Sequence, residues 1–105
     1  SIPANADLVL EEVSPAIHGK YLDVNMTVKN NGLKASEKTS INIYADDTIL
    51  ESVEVPNLEI GFGIRLLLQN VYTKKSSFDK LIFIIDSDFE ELDKTNNELF
   101  FETEK

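Results

Sequence analysis

Between Tyr21 and Lys29 the side chains alternate without a break. Leu22, Val24, Met26 and Val28 fall on one side; Tyr21, Asp23, Asn25, Thr27 and Lys29 fall on the other. A period of two belongs to a β-strand, because successive side chains of an extended backbone point to opposite faces. A strand with one apolar side must lie in a sheet that is covered on that side and wet on the other. Antiparallel sheets packed face to face meet this requirement.

The same reading extends along the chain. Asp7 to Val13 is short and apolar, and Ser40 to Ala45 alternates Ile41 and Ile43 against Asn42 and Tyr44. Further strands are expected at Thr48 to Val55, Phe62 to Val71, Phe78 to Asp86 and Glu98 to Thr103. The run Leu81-Ile82-Phe83-Ile84-Ile85 is apolar throughout, as in a strand inside a sheet. Leu99 and Phe101 are expected inward and Phe100 outward. Turn signals separate the segments: Ser14-Pro15 through His18-Gly19, Asn30-Asn31-Gly32, Asp46-Asp47, Pro56-Asn57, Lys75-Ser76-Ser77 and Thr95-Asn96-Asn97. Helix has one candidate, a single turn within Asp86 to Lys94 with Ser87 as its cap. The expected fold is all-β: an immunoglobulin-like antiparallel sandwich of about seven strands.

The 105 residues suit one domain, 1–105, with the abrupt start at Ser1 suggesting excision from a longer chain. There is no cysteine, which removes disulfides, thiolate metal sites and cysteine nucleophiles. With 10 basic and 19 acidic residues the net charge is -9, so nucleic acid is not an expected partner. No apolar run approaches the roughly 20 residues that cross a bilayer, so this segment is not expected to insert into a membrane.

Four stretches stand out in order: Asp7-Leu8-Val9, then Val24 to Gly32 ending in Val28-Lys29-Asn30-Asn31-Gly32, then Leu58-Glu59-Ile60-Gly61, and finally Ile85-Asp86 with Glu91, Asp93, Asn96 and Asn97. Together they resemble the CARDB family, the cell-adhesion-related domain of microbial surface proteins. Gly32 is expected to take the positive φ that reverses the chain. Asn96 and Asn97 are expected to hold the last long loop through their amides. Two positions depart from the family pattern. Lys94 stands where the family often has an acidic residue, and Gly63 lies inside a strand, where it suggests a bulge. The resemblance implies a non-catalytic extracellular module, often repeated or appended to larger surface proteins, and brings no binding residues with it.

The densest chemistry is the acidic loop: Asp86, Asp88, Glu90, Glu91 and Asp93. Oxygen ligands at alternating positions are what Ca²⁺ takes. Counted from Asp86, however, the sixth and twelfth positions are Glu91 and Asn97, where an EF-hand needs glycine and glutamate. Two readings stand: a calcium site over Asp86, Asp88, Glu90 and Asp93, or a solvated loop capped by its own asparagines. No other cofactor is expected.

His18 is the only histidine, which removes multi-histidine metal sites, and beside Gly19 it is expected to be exposed. Carboxylate pairs that could hydrolyse sugars need a cleft that splits their pKa values, and a small sandwich without inserted loops offers none. Tyr21 and Tyr44 are expected on outward faces, and there is no tryptophan. Asn25-Met26-Thr27 is a glycosylation triplet with Asn25 pointing outward.

The sequence therefore points away from an enzyme. It points to an interaction or spacer module of a secreted or cell-surface protein, adhesion-related by the resemblance, whose partners are a protein or neighbouring domains of its own chain. Edge acids such as Glu11, Glu12, Glu102 and Glu104 favour a monomer in isolation. Two alternatives remain: a calcium-stabilised junction built on the loop at 86–93, and an accessory domain of a surface hydrolase.

Overall fold

A computed structural model describes residues 5–74, 77–86 and 98–102, the last five by backbone alone. The strands are β1 (Leu8–His18), β2 (Tyr21–Asn30), β3 (Thr39–Ala45), β4 (Thr48–Val55), β5 (Gly63–Tyr72), β6 (Lys80–Asp86) and β7 (Glu98–Glu102). They form two antiparallel sheets, β1-β2-β5 and β4-β3-β6-β7. This is the expected immunoglobulin-like sandwich.

The alternation read in the sequence becomes the core. Leu22, Val24, Met26 and Val28 of β2 face Ile41, Ile43 and Ala45 of β3 and Leu81, Phe83 and Ile85 of β6 in one apolar cluster. Leu8 and Leu10 of β1 join it, as do the loop residues Leu58 and Phe78. β6 lies between β3 and β7, which explains its unbroken apolar run.

Three sequence expectations give way. First, the segment from Ser14 to His18 is strand rather than turn. β1 shifts register between Glu11 and Ser14, with Glu12 at φ 51°, and continues beside β2 to His18. Pro15 is tolerated because β1 is an edge strand, where a missing N–H breaks no central ladder. Second, Gly63 is paired with Lys29 at the start of β5 and forms no bulge. The irregularity of β5 lies at Asn70 (φ 59°), where the register shifts opposite Leu22 and Val24. Third, Gly32 is not in the positive-φ region, which among the described glycines is taken by Gly19 and Gly61. Gly32 is needed for close approach: a Cβ there would lie 2.4 Å from the Asn5 carbonyl oxygen and 2.5 Å from the Asp7 nitrogen.

That approach belongs to a buried polar knot around Asn30. Its Oδ1 accepts from the N–H groups of Asp7 (3.1 Å) and Gly32 (2.9 Å), and its Nδ2 donates to the carbonyls of Lys34 (2.8 Å) and Leu58 (3.0 Å). Ser36, also buried, accepts at Oγ from the Leu58 N–H, while its own N–H donates to the Leu58 carbonyl. One asparagine thus ties the start of β1 to the loops on either side of the β3–β4 hairpin. The helical turn expected within Asp86 to Lys94 and the amide roles of Asn96 and Asn97 lie outside the described residues, as do the side chains of Leu99, Phe100 and Phe101.

Candidate binding face

The outer side of β1-β2-β5 carries rows of exposed polar and aromatic side chains. Residues directly opposite in an antiparallel pair share a face, so the registers stack them into rows. His18, Tyr21 and Tyr72 form one row, and Ser14, Asn25 and Leu67 form another. Ala16 and Asp23 lie between them, with Gln69 just before the β5 bulge. A groove of about 270 Å³ follows these rows, lined by Ser14, Ala16, Asp23, Asn25, Leu67 and Gln69.

Two side-chain contacts flank these rows on the same face. In the row next to Ala16 and Asp23 the Tyr21 and Tyr72 rings meet with centroids 6.0 Å apart, tilted by 47° and about half exposed. On the other side, past the Asn25 row, Arg65 of β5 reaches over the central strand to Glu12 of β1, Nη2 to Oε2, at 3.1 Å. The two bulges make this shape, because each turns its edge strand where it flanks β2.

Asp23 is locked in place. Its Oδ1 accepts from the Asn70 N–H at 2.8 Å, and its Oδ2 lies 2.8 Å from His18 Nε2. The backbone N–H of Asn70, and after it His18, hold the Asp23 carboxyl below its ordinary value. A carboxylate held this way stays ionised and accepts hydrogen bonds, which is the opposite of what a general acid needs.

The acidic loop is described only at its root. Asp86 is exposed at the end of β6, opposite Ser40, and its carbonyl accepts from Thr39 Oγ1. Asp88, Glu90 and Asp93, together with Glu91, lie outside the described residues. Among the described residues no group of three or more histidine, aspartate or glutamate side chains could hold a metal ion.

The CARDB family model matches residues 5–101. This chain belongs to the CARDB family. CARDB is a non-catalytic domain family of surface-associated proteins. A solved CARDB domain from Pyrococcus furiosus, in complex with di-metal ions, superposes with a TM-score of 0.76 at 20% identity, covering 97% of this chain and 94% of that one. β-Glucosidase 3B from Thermotoga neapolitana, in complex with α-D-glucose, superposes at 0.59 with 12% identity, covering 92% of this chain but 16% of that enzyme. At these identities the likeness is one of fold. No curated protein matches this CARDB domain in sequence.

Sequence reasoning placed Tyr21 and Asn25 on the outward face and His18 in solvent, and all three are exposed. It missed Tyr72, Gln69 and the His18–Asp23 contact. Alternation reports which face a residue takes. It carries no information on which strand lies alongside.

Proposed function

We propose that this CARDB domain is a non-catalytic interaction or spacer module of a secreted or cell-surface protein. The observation that carries the reading is the path of the chain through the sandwich. β1 starts opposite Asn30, at the pole of the 31–38 and 56–62 loops, and β7 ends opposite Lys80, at the pole of the Asp46-Asp47 turn. The chain therefore enters at one end of a body 49 Å long and leaves at the other. A module threaded this way separates its neighbours and presents its sheet faces sideways. Limited proteolysis of intact cells carrying the native protein tests it. Release of the domain without lysis is the expected result, and release only after lysis overturns it.

A second reading is a calcium-stabilised junction over Asp86, Asp88, Glu90 and Asp93. It is favoured by the di-metal complex of the Pyrococcus furiosus relative and by the position of Asp86 at the entry pole. A ligand of the folded state raises stability by about 2.7 kcal/mol at a hundred times its dissociation constant. Melting with millimolar calcium against chelator should then shift clearly, and identical melts dismiss this reading. The match within a β-glucosidase supports a third role, as an accessory domain of a surface hydrolase, which the full reading frame decides.

A further inference from the structure

We infer that the groove on the outer face of β1-β2-β5 is a binding site for a neutral saccharide, an inference that rests on the reading of the domain as an interaction module. The lining decides the class of ligand. Ser14 offers a hydroxyl, Asn25 and Gln69 offer carboxamides, and Asp23 offers a carboxylate. Together they can both donate to and accept from a ring of hydroxyl groups. Leu67, 65% exposed, and Ala16 supply an apolar surface for the C–H side of a sugar. The exposed Tyr21–Tyr72 pair, one row further along the same face, adds aromatic edges and faces beside it.

The same residues argue against a charged ligand. Among the described residues no lysine or arginine lines the groove, and Arg65, further along the face, is paired with Glu12, so these residues offer an anion no free cation. The Asp23 carboxylate is already held at one oxygen by a backbone N–H and at the other by His18, which weakens its pull on an ammonium group. What remains is directional hydrogen bonding beside a small apolar patch.

The groove is also pre-formed. Two non-glycine residues with positive φ, Glu12 and Asn70, bend the edge strands on either side of it. Asn70 uses that conformation to aim its N–H at Asp23. Bulges and left-handed residues of this kind cost conformational energy and gather beside functional surfaces. A shallow, open site of this size should bind a monosaccharide with a dissociation constant on the order of 1 mM.

The test is a titration of the ¹⁵N-labelled domain, followed by amide chemical shifts, with the methyl glycosides of glucose, galactose, mannose and N-acetylglucosamine. Saturable shifts confined to residues 14–16, 23–25 and 67–72 for at least one probe are expected. The exposed substitutions Asn25→Ala and Gln69→Ala should each weaken binding at least fivefold with an unchanged melt, while Leu33→Ala at the distant loop pole should leave it unaltered. Absence of saturable shifts with all four probes overturns the inference, as does saturation centred elsewhere or undiminished binding by both groove variants. A response to ethylammonium but to no glycoside also overturns it, in favour of a cation site. Failure here leaves the proteolysis result on intact cells untouched, so the site and the surface-module reading fall separately.

Discussion

At the scale of single residues, polar groups inside the sandwich matter more than their number suggests. Asn30 is fully buried and makes four side-chain hydrogen bonds to backbone groups. Removing its carboxamide leaves donors and acceptors without partners, at about 1–3 kcal/mol for each one that stays dry. Asn30→Ala should therefore cost at least about 3 kcal/mol, read as a lowered urea midpoint. Two glycines separate steric from conformational demand. Gly32→Ala drives a methyl into the backbone at Asn5–Asp7 and should cost about 3 kcal/mol. Gly61→Ala meets open space and carries only the penalty of its φ of 79°, about 1–2 kcal/mol. The same urea series should rank the first above the second.

Asp23 gives a prediction for acid. Its folded pKa lies below the ordinary 3.8, first through the Asn70 N–H and then through His18. The unfolded chain therefore takes up its proton at a higher pH than the folded one. The stabilisation is present above pH 3.8 and is lost as pH falls through the lower folded value. Asp23→Asn should flatten the decline of melting temperature below pH 4. An acid limb as steep as that of the natural chain would show that the contact does not contribute.

At the scale of elements, each strand has an inner and an outer ledger of substitutions. Phe83 on β6 is fully buried, so Phe83→Ala should cost about 3–5 kcal/mol. Leu67 on β5 is apolar but 65% exposed, and Leu67→Ala should stay within about 0.5 kcal/mol. Equal losses in chemical denaturation would mean that Leu67 is covered in solution, for instance by self-association. Alternation predicted the inner ledger well because burial on one face imposes a strict period of two. It failed where a strand changes step. Nothing in the string Glu11-Glu12-Val13-Ser14 announces that Glu12 turns left-handed and lets β1 run past Pro15 to His18. A proline ordinarily reads as a strand end, and only the edge position of β1 makes it harmless.

At the scale of the whole molecule, one apolar cluster draws on both sheets, so neither sheet has a core of its own. Unfolding should be two-state, with far-ultraviolet circular dichroism and tyrosine fluorescence giving one midpoint. Separate midpoints would mean that the sheets come apart independently. Many of the pairings are distant in sequence, as between β2 and β5 or β3 and β6, so folding should take milliseconds to seconds rather than microseconds.

Legible along the chain were the class of fold, most of the core and six of the seven described strands to within two residues, while β1 was cut short at Val13 where it runs on to His18. These follow from periodicity and local turn chemistry, which are properties of neighbours along the chain, whereas the CARDB family was legible only through the resemblance of four short stretches. The tertiary structure decided the groove. Ser14, Asp23, Asn25 and Gln69 come from three strands, and Tyr21 meets a tyrosine 51 residues away. It also decided the role of Asn30 and Gly32, which look like a turn signal and turn out to be a polar knot and a point of backbone contact. Which strands pair, in which register and around which bulges, is settled by packing two sheets onto one core, and that is a property of the chain only once it has folded.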